Sequence, residues 1–275
     1  MSDIFLAAAV QMSSGLDLDA NLAAAARLVE QAAERGARLI ALPELFNRLG
    51  DQAPMLAGAE EVPGPTSRFL ADLASRFGIT LVGGSICERS PIEGKCYNTC
   101  LVFGPDGREL ARYRKLHLFD IDLPRAIQYQ ESRIFLPGDT ATAAAAREGR
   151  LGVAICYDLR FPELFRRLTD LGAEIVAIPS AFALATGRDH WELLLRARAI
   201  ENQAFVIAPN QYGQHSPQLA TYGRSMIVDP WGTPLAVAAD GESVVVAEID
   251  LDRQKEIRRR LPALQHRRAP EIFGR

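Results

Sequence analysis

Cysteine and histidine are scarce here, four of each among 275 residues. A chain of this length buries roughly three quarters of the surface it exposes when unfolded, so it needs no disulfide or metal staple. The short apolar run Ile4 to Val10 has no basic region before it and ends in a glutamine, Gln11, which makes it too short and wrongly flanked for an export signal. No stretch of about 18 apolar residues is available to span a bilayer. These absences set the expectation of a cytoplasmic protein with no membrane partner, its thiols at Cys87, Cys96, Cys100 and Cys156 all reduced. Neither sign of charge dominates. With 31 Lys and Arg against 34 Asp and Glu, a formal net charge of −3, nucleic acid is not expected as a partner. The rest of the composition, 48% hydrophobic and 24% charged, excludes disordered and collagenous chains.

Common catalytic and cofactor signatures are missing too. There is no Gly-x-Ser-x-Gly elbow, phosphate loop, dinucleotide glycine fingerprint or His-Glu-x-x-His helix. Cys96 and Cys100 lack the two-residue ligand spacing and a matching second pair for zinc. Chemistry without metal or cofactor is the expectation that remains.

Short apolar runs alternate with helical periodicity along the whole chain. Strands are expected at Ile4 to Val10, Arg38 to Leu42, Ile79 to Cys87, Asn98 to Phe103, Leu151 to Cys156, Glu174 to Pro179 and Phe205 to Pro209. Helices are expected at Leu18 to Arg35, Thr66 to Phe77, Phe161 to Leu171 and Asp189 to Asn202, the first two stopped by Gly36 and Gly78. Gly104-Pro105-Asp106-Gly107 marks a hairpin over residues 98–114, so the sheet is mixed. Two further strands, Arg224 to Asp229 and Ser243 to Ile249, are expected to be joined through Pro230-Trp231-Gly232-Thr233. With no repeat and no linker, the reading is a single α/β domain over residues 1–275 with helices outside its sheets. A long turn-rich stretch from Lys115 to Asp139 interrupts the pattern, and loops of that length usually carry function.

Three residues stand out by type and position. Cys156 ends an apolar strand and is followed at once by a helix, a place where α/β sheets put their sites and where a thiolate is stabilised, although a Cys in an apolar run is as readily a small core residue. Glu44 follows Leu42-Pro43 among apolar neighbours, which suits a carboxyl of raised pKa to general-base work; capping a nearby helix is the plain alternative. Lys115 opens the long loop, and taken alone is a solvated strand-end charge. The basic run Arg258-Arg259-Arg260 reads as a solvated helix face rather than a nucleic-acid patch.

In order, Leu42-Pro43-Glu44, Lys115-x-His117-Leu118-Phe119-Asp120 and Cys156-Tyr157-Asp158-x-Arg160-Phe161-Pro162-Glu163 resemble the Glu-Lys-Cys signature of the nitrilase superfamily of carbon-nitrogen hydrolases, and the likeness continues to Gln265-His266-Arg267-Arg268. The resemblance implies an α-β-β-α sandwich whose protomers pair as a homodimer. It implies Cys156 as nucleophile, Glu44 as base, Lys115 as the cation beside the tetrahedral oxyanion, the Tyr157 amide as a second oxyanion donor and Glu131 as a second glutamate that positions substrate and base. Ammonia would leave and water would release the acid from a thioester. Within the superfamily the motifs are similar to the small omega-amidases acting on 2-oxo acid amides and on deaminated glutathione, with Arg160 the clamp for a substrate carboxylate and Phe182 an apolar wall. Pro179-Ser180-Ala181-Phe182 and Gln265-His266-Arg267-Arg268 favour deaminated glutathione, while Lys115 to Pro124 favours 2-oxoglutaramate, and Arg125 to Gln130 departs from the Gly-rich version expected there. A nitrilase and a catalytically silent interaction module of the same fold are the alternatives.

Overall fold

The computed structural model describes residues 4–123 and 127–268. Six helices are present among them: α1 (Leu18–Glu34), α2 (Gln52–Ala57), α3 (Pro65–Phe77), α4 (Pro162–Asp170), α5 (Leu184–Asn202) and α6 (Leu251–Arg260). Two mixed sheets lie between them. In the first, the strands run in the order Ser243–Asp250, Ile4–Gln11, Ala37–Ala41, Thr80–Val82, Cys96–Phe103 and Ile86–Arg89, with Glu109–Arg114 and Phe135–Leu136 also paired to Cys96–Phe103. In the second, the order is Thr142–Ala146, Gly149–Val153, Ile175–Ala177, Phe205–Ala208, Met226–Val228 and Pro234–Val237.

The two-residue period of a strand sorts the first sheet's side chains into two cores. Phe5, Ala7, Ala9, Leu39, Ala41 and Val82 face the second sheet, in one cluster with Val153, Ile175 and Ile207. Ala8, Val10, Ile40, Leu42 and Leu81 point the other way, onto Leu28 and Val29 of α1 and Leu70 and Leu73 of α3. Leu164 and Phe165 of α4 and Trp191 and Leu195 of α5 join the cluster of the second sheet. The result is the expected α-β-β-α sandwich. Asp17 caps α1 through the Ala20 N–H at 3.1 Å, and Gly78 ends α3 in the left-handed conformation at φ 62°.

Three expectations need correction. Ile79 to Cys87 is two strands, because the chain turns at Gly83-Gly84; at Gly84, φ 60°, a Cβ would lie 2.2 Å from the Pro43 carbonyl oxygen, so only glycine fits beside the Glu44 loop. The Pro230-Trp231-Gly232-Thr233 turn leads into Pro234–Val237, which pairs with Met226–Val228, whereas Ser243–Asp250 pairs with Ile4–Gln11 in the other sheet. The stretch after Lys115 holds a short antiparallel hairpin, Asp120–Leu123 with Ile127–Gln130, and a single 3-10 turn, Glu131–Arg133. Arg125 and Ala126 lie outside the described residues. Of the basic run, Arg259 and Arg260 are exposed and pair with Glu256, whereas Arg258 departs from the expected solvated face: it is half-buried and donates to the carbonyls of Gln203 and Ala173.

Candidate active site

Strand ends from both sheets converge on one point. Glu44 lies just past Ala37–Ala41, Lys115 directly after Glu109–Arg114, Cys156 just past Gly149–Val153 and Ala181 just past Ile175–Ala177. The carboxyl ends of strands in α/β sheets are the usual place for a site. Cys156 therefore lies beyond its strand rather than ending it, as the first residue of a 3-10 turn, Cys156–Arg160, that precedes α4. Its φ of 46° is unusual for a residue with a side chain; Leu45, next to Glu44, has φ 51°. Both turns that carry the reactive groups thus hold strained backbone.

Lys115 is sealed from solvent and its ammonium bridges two carboxylates. Nζ lies 2.9 Å from Glu44 Oε1 and 2.8 Å from Glu131 Oε1. Glu44 Oε1 also accepts from Asn98 Nδ2 at 2.8 Å, and Glu44 Oε2 accepts from the Ala181 N–H at 2.8 Å. Glu131 Oε2 accepts from the Phe119 N–H at 2.7 Å. The Glu44 backbone is itself held, its carbonyl receiving Gln211 Nε2 at 3.0 Å, while the Leu45 N–H donates to Ser85 Oγ at 2.9 Å.

Burial and mutual charge shift the titrating groups of the site. Burial works against the Lys115 charge, but Glu131, Glu44 and the Cys156 sulfur together outweigh it and hold the ammonium well above its ordinary pKa. Burial pushes the Glu131 carboxyl up, Lys115 opposes that and Glu44 adds to it. The Cys156 thiol is raised well above its ordinary value, chiefly by burial and then by Glu44, with Lys115 and the Ala181 N–H pulling the other way. Against the expectation of a thiolate favoured by a following helix, burial disfavours the charged sulfur, so the arrangement calls for a neighbouring base to take the thiol proton.

The sulfur faces a narrow cavity lined by Phe119, Tyr157, Arg160, Ala181, Phe182 and Thr186. The Arg160 guanidinium sits 5.2 Å from the Phe182 ring centre and 5.8 Å from that of Tyr157, and its Nη1 is 3.2 Å from His190 Nδ1. It makes no ion pair with a carboxylate among the described residues. Phe182 is buried, its N–H donating to Asn210 Oδ1 at 2.9 Å. The Tyr157 N–H belongs to the first turn after Cys156, where donors have no partner within the helix. Cys87, Cys96 and Cys100 are buried away from this cavity in the cores. No group of three or more metal-ligating side chains is found among the described residues.

Glu44, Lys115, Glu131 and Cys156 thus come together, with Tyr157, Arg160 and Phe182 at the same cavity. Sequence reasoning missed Asn98, the Ala181 N–H and Phe119. Asn98 alone left a signal, a wholly buried amide in a strand otherwise built for the core.

Comparison with known proteins agrees with this geometry. Residues 6–259 match the carbon-nitrogen hydrolase family. The chain is 44% identical over 266 residues to deaminated glutathione amidase of Synechocystis sp. (strain PCC 6803 / Kazusa), covering 96% of this chain and 98% of that protein. It is 40% identical over 265 residues to omega-amidase NIT2 of Homo sapiens, covering 96% and 95%. Among solved structures it superposes on Nit3 of Saccharomyces cerevisiae, a member of branch 10 of the nitrilase superfamily, with a TM-score of 0.86 at 36% identity, covering 96% and 97%. The chain belongs to the carbon-nitrogen hydrolases of the nitrilase superfamily.

Proposed function

We propose that the protein hydrolyses the amide of a small carboxylate-bearing 2-oxo acid, foremost deaminated glutathione, through a thioester on Cys156. Glu44 takes the thiol proton as sulfur attacks the amide carbon. The proton transfer leaves the net charge of the buried cluster unchanged, which keeps the step accessible in a low-dielectric site. Once Glu44 is neutral, Lys115 keeps Glu131 as counter-ion and turns its freed donor to the developing oxyanion, with the Tyr157 N–H as second donor. Glu44 then protonates the departing nitrogen and next activates the water that cleaves the thioester. The departing group is ammonia only from a primary amide such as 2-oxoglutaramate; from the γ-amide of deaminated glutathione it is a dipeptide amine.

The observation that carries the substrate class is Arg160: a guanidinium at the mouth of the Cys156 cavity, between two aromatic rings and without a carboxylate of the protein to pair with. Its planar fork suits a substrate carboxylate. The similarity to deaminated glutathione amidase supports the particular substrate. The test is release of 2-oxoglutarate, the product common to deaminated glutathione and 2-oxoglutaramate, alongside turnover of a simple nitrile. Deaminated glutathione should give the highest kcat/KM, and dominant nitrile turnover would overturn the amidase reading. Cys156→Ala should abolish turnover in a folded protein, and activity above a few per cent would sink the nucleophile assignment.

The protein is further proposed to be a cytoplasmic homodimer. No helix among the described residues is long and apolar enough to cross a membrane. Leu193 and Ile200 on α5 and Trp231 beside it are 66%, 50% and 59% exposed, an apolar face of the kind that a second copy covers. Light scattering that gives a single 30.1 kDa protomer at micromolar concentration would refute the dimer.

A further inference from the structure

Asp158, two residues past Cys156, has no part in the chemistry above, yet its carboxylate is wholly buried and fully occupied by donors. Oδ2 accepts from the Tyr113 hydroxyl at 2.7 Å and from the Ile155 N–H at 2.8 Å. Oδ1 accepts from the His117 N–H at 3.0 Å and faces His117 Nδ1 at 2.7 Å, so that nitrogen carries the ring proton. The His117 ring in turn lies flat on Phe161, 3.7 Å between centres and 6° between planes. The Tyr113 oxygen also receives the Leu116 N–H at 3.4 Å.

The origin of these donors is what matters. Tyr113 and His117 stand two residues before and two residues after Lys115, and Ile155 is the residue before Cys156. One carboxylate therefore grips both sides of the Lys115 turn and the entry to the Cys156 turn. It does so beside a Cys156 backbone held at φ 46°, a conformation that persists only where the surroundings over-determine it. The Asp158 N–H closes the same turn by donating to the Ile155 carbonyl at 3.0 Å, so Asp158 brackets Cys156 with both backbone and side chain.

We propose that Asp158 is a positioning residue that sets the placement of the Cys156 sulfur relative to the Lys115 ammonium, with Tyr113 and His117 as its struts on the lysine side. The two groups come from different sheets, and the Asp158 carboxylate is a direct polar tie between the segments that carry them. A misplacement of about 1 Å between reacting groups costs on the order of 100-fold in rate. Asp158→Asn keeps the shape but turns one acceptor into a donor facing donors.

The inference rests on Cys156 being the nucleophile, so the test reads the sulfur directly as well as turnover. Steady-state kinetics are measured beside the rate at which iodoacetamide alkylates Cys156, located by peptide mass, in the full-length wild type, Asp158→Asn, Tyr113→Phe and the double variant. Asp158→Asn should lower kcat about 100-fold with KM within about threefold, and should change the Cys156 alkylation rate while the melting transition stays cooperative. Tyr113→Phe should lower kcat several-fold, and the double variant should be no worse than Asp158→Asn alone, since both cut one tie. A folded Asp158→Asn enzyme with wild-type kcat and alkylation rate overturns the proposal, as does a double variant whose losses multiply. If Asp158→Asn does not fold, Tyr113→Phe decides: unchanged kcat with a lowered melting temperature makes the carboxylate purely structural. Full activity in Cys156→Ala would instead remove the nucleophile reading, whatever the Asp158 variants do.

Discussion

Two clusters in this molecule each set buried glutamate against a cation, yet they differ in behaviour. Glu88, on Ile86–Arg89, accepts from Thr99 Oγ1 at 2.6 Å and from Arg114 Nε and Nη2, both at 2.8 Å, with Arg112 Nη1 at 3.3 Å. Burial works to raise its pKa, but the hydrogen bonds and charge of Arg114, Thr99 and Arg112 outweigh burial and hold the carboxyl below its ordinary value. Glu131 sits against Lys115, yet its pKa is raised. The difference is the ratio of cations to carboxylates. Glu88 is gripped by Arg114 and shares Arg112 with Glu109, both guanidinium groups reaching solvent, whereas Glu131 and Glu44 share one sealed ammonium. A cluster with a cation for each carboxylate favours the charged form of its buried carboxylate and acts as a staple. With one cation between two carboxylates, the Glu131 carboxyl is pushed toward its protonated form, and a cluster strained in this way suits a site that must pass a proton from sulfur to nitrogen.

The sharpest break of that contrast removes the shared cation. Lys115→Met should abolish turnover and cost about 3–5 kcal/mol of stability, since two buried carboxylates are left without a counter-charge. Chemical denaturation that shows less than about 1 kcal/mol of loss would mean the site is wetter than its burial indicates. Glu44→Gln keeps the hydrogen bonds from Asn98 and Lys115 through its carbonyl oxygen, but removes the base and turns its amide donor against the Ala181 N–H. It should lower kcat about 10²–10⁴-fold in a folded protein, the lost Ala181 hydrogen bond offsetting what is gained by leaving Lys115 to one carboxylate. A kcat within tenfold of wild type would show that another group takes the thiol proton.

The sequence carried the layers of this fold because they rest on local signals. Alternation in Ile4–Gln11, the Ala/Leu face of α1 and the Gly78 stop all lie within a few residues of the elements they define. It did not carry the partner of Ser243–Asp250, because sheet membership is set by contacts more than 200 residues away, nor the break at Gly83-Gly84, which is imposed by the Pro43 carbonyl. In the site, residue types and order were readable for Glu44, Lys115 and Cys156. The upward push on the Cys156 thiol was not, since it depends on burial and on the nearness of Glu44, neither of which is local in the sequence. Asp158 was visible only as a letter of a motif, because its four donors come from two segments far apart in the chain.

Smaller effects sharpen the same contrast on the Glu88 side. Glu88→Gln should leave kcat/KM within about twofold and cost about 1 kcal/mol, because the solvent-reaching guanidinium groups are screened by water once unpaired. Its larger use is in pH dependence. A carboxyl whose folded pKa lies below its unfolded one adds stability above the unfolded pKa, and that stability is lost as pH falls through the folded value. The penalty of Glu88→Gln should therefore be full at neutral pH and shrink in acid. A carboxyl whose folded pKa is raised behaves oppositely: its contribution is present below the unfolded pKa and lost as pH rises through the folded one. Glu131→Gln should thus be relatively most favourable to stability at neutral pH and lose that advantage in acid, while kcat falls at every pH because Lys115 is held less well. Denaturation midpoints of the two variants minus wild type, followed from pH 7 into the acid range, should drift in opposite directions. Parallel drifts would show that both carboxylates are stabilised alike, and that the shared ammonium does not distinguish the site from the staple.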